Sequence, residues 1–541
     1  MAGRRRAQPS ILSNQSVADC LPASNRAGGI STTPAPPSKS RPEMHGFTTP
    51  RHLCERAIQH TIFTSRGGSP MRNTLPFLLG ALGLATVALA SDPGRAATPT
   101  LTTLVSFYSL NGAGPEAGLI ADAKGNLFGT TALGGANAMG TAFEILKTKN
   151  GYDTSPTTLV SFDGTNGSEP HAGLLADARG NLFGTTEFGG ASNKGTVFEI
   201  VKTKHGYAST PTILVSFDGT HGAIPAASLI ADDQGNLLGT TDNGGTNNLG
   251  TVFEIAKTKG GYASTPTLLF SFDGAHGANP LGGLIADAKG NLFGTTYFGG
   301  AGNDGTVFEI AKTGQGYADT PTVLVSFSGA NGENPGAGLI FDSHGNLFGT
   351  TVRGGANGYG TVFEIAKTEN GYADAPTTLV NFNLVFSPNN GAYPLAGLIA
   401  DAKDNLFGTT ANGGAAGVGT VFEIVNTANG YADTPTILVS FNGFNGSGPA
   451  GGLLADASGD LFGPTTTGGG DKKGIVFELT SSGFVPLAFA GAPGSAGCYG
   501  QSVLSLLQQD QNLDVAAAAR GLDRAEALQR AILRYCAPSA R

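Results

Sequence analysis

Asp177-Ala178-Arg179-Gly180-Asn181-Leu182-Phe183-Gly184-Thr185-Thr186, followed by Gly189-Gly190 and then Gly195-Thr196-Val197-Phe198-Glu199-Ile200, is the stretch from which the fold is read. Ala178-Arg179-Gly180-Asn181 is a tight turn in which Gly supplies a positive φ, and the runs on either side have strand length. The stretch recurs. The Asn or Asp that opens Leu-Phe-Gly-Thr-Thr, allowing single substitutions, stands at Asn126, Asn181, Asn236, Asn291, Asn346, Asn405 and Asp460, at spacings of 55, 55, 55, 55, 59 and 55. The Glu of Gly-Thr-Val-Phe-Glu-Ile recurs as often, at Glu144, Glu199, Glu254, Glu309, Glu364, Glu423 and Glu478. Both markers count seven units.

Each unit carries four strand candidates; in the second copy they are Gly173 to Asp177, Leu182 to Thr186, Thr196 to Val201 and Thr212 to Phe217. Four antiparallel strands with no helical stretch between units match a propeller blade. An open stack would leave two apolar blade faces bare, whereas a ring buries each against its neighbour. The expected fold is therefore an all-β, seven-bladed β-propeller of 55-residue repeats over residues 101–491. A fourth-strand sequence also occurs before the first unit (Thr103 to Phe107) and after the last (Phe484 to Phe489), and either one can complete the seventh blade.

The ends of the chain differ from its middle. Residues 1–70 show no hydrophobic periodicity and are expected to be a leader or a mis-assigned start. Met71-Arg72-Asn73, the apolar run Leu75 to Ala90 and its Ala88-Leu89-Ala90 ending form a signal peptide over 71–90, with cleavage before Ser91. That run is short for a membrane span, which needs about 20 residues, so no stable span is expected after cleavage and the protein is expected to be exported. Residues 495–541 switch to helix formers, with Leu506, Leu507, Leu528, Ile532 and Leu533 at helical spacing, and predict a small α-helical tail. In an oxidising compartment Cys498 and Cys536 would bridge its ends.

Charge excludes one class of partner. Residues 1–90 hold 10 Lys+Arg and 3 Asp+Glu, leaving 22 against 37 and a net −15 for the remainder. A body this acidic repels phosphate backbones, so no nucleic acid is expected.

The units resemble the Gloeo/Verruco (GloVer) tandem repeat of exported bacterial proteins, recognised by Asp-x-x-Gly-Asn-Leu-Phe-Gly-Thr-Thr, Gly-Gly and Gly-Thr-Val-Phe-Glu, over about residues 101–489. The resemblance implies a secreted or surface protein and brings no activity or catalytic residues with it. The seventh copy departs from the pattern with Pro464 in place of Thr.

Repeated polar positions read as scaffold. Asp122, Asp177, Asp232, Asp287, Asp342, Asp401 and Asp456 each precede the hairpin turn, where a carboxylate caps backbone N–H groups. The Glu of Phe-Glu-Ile, with Lys three residues on in five copies, reads as a solvated or strand-edge charge. His221 and His276 stand where other copies have Asn, each before a Gly, and read as left-handed turn residues. No metal or other cofactor is expected.

Specificity is expected where the copies differ. Loops joining the second strand to the third share a face with those joining units, and just before Gly-Gly the copies read Ala132-Leu133, Glu187-Phe188, Asp242-Asn243, Tyr297-Phe298, Val352-Arg353, Ala411-Asn412 and Thr466-Thr467. The insertion Asn383-Leu384-Val385-Phe386 adds apolar side chains to that face. Glu187, Phe188, Asp242, Tyr297, Phe298, Arg353 and Phe386 are thus the candidate binding residues, for an extracellular glycan or protein. The chain has no Trp and no nucleophile triad, paired-carboxylate motif or phosphate loop. A non-enzymatic binding protein is the leading expectation, a carbohydrate-active or other propeller enzyme the second, and a structural envelope protein the third.

Overall fold

The computed structural model describes residues 98–384 and 391–486, which lie in the compact unit Asp92–Arg541. The segments expected to form a leader, a signal peptide and a helical tail with Cys498 and Cys536, and also Phe386, lie outside the described residues.

Seven four-stranded antiparallel sheets form a seven-bladed propeller. Blade 1 hydrogen-bonds Ile120–Ala121, Leu127–Thr131, Thr141–Ile145 and Thr157–Ser161 in chain order, and blades 2 to 6 repeat this. The first strand is shorter than the sequence predicts, Leu175–Ala176 in blade 2. Gly173 instead packs against its counterparts Gly118 and Ser228 in the neighbouring blades, on the innermost segment.

Blade 7 decides between the two terminal strands. Its strands Leu454–Ala455, Leu461–Thr465 and Ile475–Thr480 are completed by Thr100–Ser106, paired from Thr100↔Thr480 to Ser106↔Ile475 with a register shift between Thr103 and Val105. Phe484 has another role. Tyr152, Tyr207, Tyr262, Tyr372 and Tyr431 each lay a ring edge on a Phe of the preceding blade, and Phe484, 5.1 Å from Phe407, does the same for blade 7.

The core lies between blades. Alternation sends Phe128, Ala142 and Val160 of blade 1 toward Leu174, Leu182, Phe198 and Ile200 of blade 2, while Leu127, Phe143 and Ile145 face Val105, Phe462 and Val476 of blade 7. Seven such clusters close the circle. Each fully buried Phe, Leu or Ile contributes about 1.5–3 kcal/mol, and a blade alone would leave both of its apolar faces bare.

Nearer the axis a second contact recurs. The Gly of Gly-Thr-Val-Phe-Glu has φ between +93° and +109° and lies against a proline of the next blade: Gly195 on Pro225, and Gly474 on Pro115 across the closure. A Cβ on Gly195 would fall 2.5 Å from Pro225 Cδ and also strike the Thr186 carbonyl oxygen. In blades 1 to 5 the first Thr of Thr-Thr also donates a hydrogen bond to a carbonyl of the next blade, as Thr130 Oγ1 does to Ala172 O at 2.9 Å. Pro464 lacks that donor and packs on Gly451, whose Cβ would fall 2.5 Å from the ring.

Substitutions at the closure and at the latch test these contacts. Phe107→Ala, at the interface of blades 7 and 1, is expected to cost about 3–5 kcal/mol in urea unfolding, and Phe484→Ala, half-buried outside the closing sheet, about 1 kcal/mol; the reverse order would contradict closure by the N-terminal strand. Gly206→Ala meets no atom within 4 Å at φ +116°, so it carries backbone strain alone, about 1 kcal/mol. Gly195→Ala adds overpacking against Pro225, about 1–3 kcal/mol more, and equal losses for the two would remove the latch from the account.

Candidate functional site

On the face where units join, one residue per blade adopts a left-handed conformation just before the latch proline. These are Gly114, Glu169, Ile224, Asn279, Asn334, Tyr393 and Gly448, with φ between +56° and +63°. Each is bonded on both sides: Glu169 N–H donates to Met139 O of blade 1, and its carbonyl accepts from Glu187 N–H of its own blade. The five non-glycine members hold a strained backbone, and for β-branched Ile224 the conformation is an outlier. The residue after the proline and the residue just past the second strand complete the set. They read Glu116, His171, Ala226, Leu281, Gly336, Leu395, Ala450 and Ala132, Glu187, Asp242, Tyr297, Val352, Ala411, Thr466. One scaffold thus presents three side-chain positions seven times around the axis, and the side chains differ.

Three blades contribute the charged part. His171 Nδ1 lies 2.8 Å from Glu116 Oε2, and its Nε2 lies 3.8 Å from both Glu169 Oε2 and Glu187 Oε2. The His171 and Glu187 side chains are each 1% exposed. Burial opposes the imidazolium, but the Glu187 and Glu116 carboxylates outweigh it and hold His171 well above its ordinary value. Asp242, fully buried, is pushed up to about 7 by desolvation first and by the Glu187 charge second. Its Oδ2 accepts from Asn243 Nδ2 at 2.9 Å, its Oδ1 makes no hydrogen bond of good geometry, and the Asn279 amide offsets part of the rise.

The belt continues as an apolar arc. Asn279 Nδ2 donates to the Asp242 carbonyl at 3.0 Å, and Asn334 Nδ2 to the Tyr297 carbonyl at 2.9 Å. Ala226, Leu281, Tyr297 and Val352 form one cluster with Phe298, Tyr393 and Leu395 against it. Among the described residues no three His, Cys, Asp or Glu are placed to hold a metal ion, and no helix is long and apolar enough to cross a membrane.

The family model of the Gloeobacter/Verrucomicrobia repeat matches residues 94–253, 154–318, 205–384 and 317–513. The chain belongs to this repeat family. None of the curated proteins matches it. Among solved structures it is similar to a proposed 6-phosphogluconolactonase from Bacteroides uniformis, at 15% identity over 62% of this chain and 88% of that one, with TM-score 0.40. It is also similar to a proposed oxidoreductase (glucose dehydrogenase) from Thermus thermophilus, at 13% identity over 57% and 96%, with TM-score 0.37. A puromycin hydrolase matches at 11% identity over 66% and 50%, with TM-score 0.43. Likenesses this low carry no argument about activity.

In this Gloeobacter/Verrucomicrobia repeat chain the residues singled out by sequence separate by depth. Glu187, Asp242 and Tyr297 are buried in the belt, Phe188 and Phe298 are half-buried, and Arg353 is exposed. Glu116, Glu169, His171, Tyr393 and Leu395 were not visible from the Gly-Gly marker. Aligning the copies on the latch proline would have found them, since the residues on either side of it differ from copy to copy.

The scaffold positions divide similarly. Each of the seven turn aspartates accepts backbone N–H groups, as Asp177 Oδ1 does from Arg179 and Asn181 at 2.9 Å. The Glu of Phe-Glu-Ile is half-buried, and Glu144 is raised by burial against the charge of Lys202, which comes from the next blade. For His221 and His276 the expectation needs correcting. The left-handed residues are the glycines behind them, Gly222 at φ +131° and Gly277 at φ +120°, while the histidine N–H groups donate to Asp218 and Asp273. A side chain that caps the turn is what the position selects.

An acid raised by folding keeps its proton in the folded state after the unfolded chain has lost it. Asp242 therefore makes stability fall as pH rises from about 4 to about 7, with no further loss above. Asp242→Asn removes this titration and is expected to gain on the parent between pH 5 and pH 8, by at most about 3 kcal/mol. Urea midpoints that differ by the same amount at both pH values would contradict the buried, uncompensated placement of this carboxyl.

Proposed function

We propose that this propeller is an exported, non-enzymatic binding protein that takes an extracellular ligand, a glycan or a protein segment, on the axial face. One observation carries the reading: identical backbone hydrogen bonds and latches hold three positions in every blade, yet their side chains run from glycine to glutamate, isoleucine and tyrosine. A rigid scaffold carrying diverse side chains around one axis is suited to contact something asymmetric. The signal-like segment 71–90 and the acidic body support export and argue against nucleic acid.

A second reading, a propeller enzyme, draws on Asp242. A buried carboxyl titrating near neutrality under the charge of a neighbouring glutamate is the kind of group that serves in proton transfer. Against it, His171 is held charged and makes a poor general base.

The readings separate in one experiment. The full chain is screened by thermal shift against glycans, peptides and divalent metals, and each hit is followed for product release. Binding is expected without turnover, weakened at least about tenfold by Phe298→Ala or Tyr393→Ala and unchanged by Tyr317→Ala in the two-stranded hairpin that pairs Lys312–Thr313 with Gly316–Tyr317. Turnover lost in Asp242→Asn would favour the enzyme, and binding insensitive to both axial variants would move the site elsewhere.

A further inference from the structure

We propose that the axial face recognises a small organic cation, an amine or guanidine joined to an aromatic or aliphatic group; this rests on the reading of that face as the ligand site. The three variable positions are not mixed around the ring. All four of their carboxylates, Glu116, Glu169, Glu187 and Asp242, come from blades 1 to 3, and their aromatic and leucine side chains, Leu281, Tyr297, Tyr393 and Leu395, come from blades 4 and 6. One side of the axis thus carries four carboxylates against the single imidazolium of His171 and attracts positive charge, the other offers apolar surface, and a ligand with both would span them.

Asp242 lies at the seam. Its carbonyl is bonded to Asn279, whose own carbonyl accepts the Tyr297 N–H, so the last carboxylate and the first aromatic ring are one blade apart. Asp242 is fully buried and its Oδ1 makes no hydrogen bond of good geometry, with the Asn279 amide close to the carboxyl, although buried polar atoms are nearly always bonded. An ammonium or guanidinium donor satisfies that oxygen and offsets the charge it gains on ionising. Glu169, Ile224, Tyr393 and Leu395, on the same face, are half-buried and so reach solvent. Three of them, Glu169, Ile224 and Tyr393, hold left-handed backbone that neither Gly nor Asn eases. Strain of this kind collects at ligand-binding positions. The carboxylates that favour a cation repel an anion of the same shape.

The test is calorimetry on the full chain at pH 8 with four probes: tyramine, 4-hydroxyphenylacetate, 2-phenylethanol and ethylamine. Tyramine is expected to bind saturably and at least about tenfold more tightly than the other three. Asp242→Asn and, independently, Glu169→Gln are each expected to weaken it at least about threefold while leaving the circular dichroism spectrum unchanged, and Tyr297→Ala to weaken it further. Equal or tighter binding of 4-hydroxyphenylacetate, tyramine binding that survives both carboxylate variants, or no binding of any probe would overturn the proposal. If the glycan or peptide screen still finds a ligand sensitive to Phe298→Ala or Tyr393→Ala, the binding function stands and the cation assignment alone fails.

Discussion

A proline ring resting on a glycine of the preceding blade is the contact on which the rest of this structure depends. Gly195 against Pro225 and its equivalents bring neighbouring blades close near the axis, where a single methyl group would not fit. The contact also sets the loop before the proline. Its left-handed residue donates a hydrogen bond to the preceding blade and accepts one from its own, so the backbone of the axial face is determined before any side chain is chosen. Side chains there are free to differ because the backbone bonds of the loop recur whatever side chain stands at the position.

Burial makes the ring obligatory. Each blade is apolar on both faces, and the seven clusters shared between blades leave no face bare only when the first blade meets the last. Thr100–Ser106 supplies that closure by pairing with Ile475–Thr480, a contact between the two ends of the described chain. Val105 and Phe107 then enter the same cluster as Leu119 and Phe143, so the closing interface is built like the other six.

The axial face shows how sequence reading succeeds and stops. Glu187, Asp242 and Tyr297 were found because the Gly-Gly pair beside them marks the end of the second strand in every copy. Glu116 and His171 were not, since they lie 55 residues apart and each sits in a loop of small residues. Their 2.8 Å contact exists only because consecutive blades bring the same loop position side by side. The burial of Glu187 and Asp242 was equally invisible, because whether a loop residue faces solvent or the axis depends on how far the ring closes around it.

From the sequence alone came the seven units, the positions of the main strands, the aspartate-capped turns and the face on which the copies diverge. These are local properties, set by alternation, turn chemistry and repetition within about one period. Tertiary structure alone decided which terminal strand closes blade 7, that Lys202 answers Glu144 of the preceding blade, and that a histidine and four carboxylates gather in three adjacent blades beside an apolar arc. The physical reason is the similarity of the copies: near-identical units offer near-identical pairing, so nothing local says which copy a residue will face, and only the closed ring assigns the neighbours.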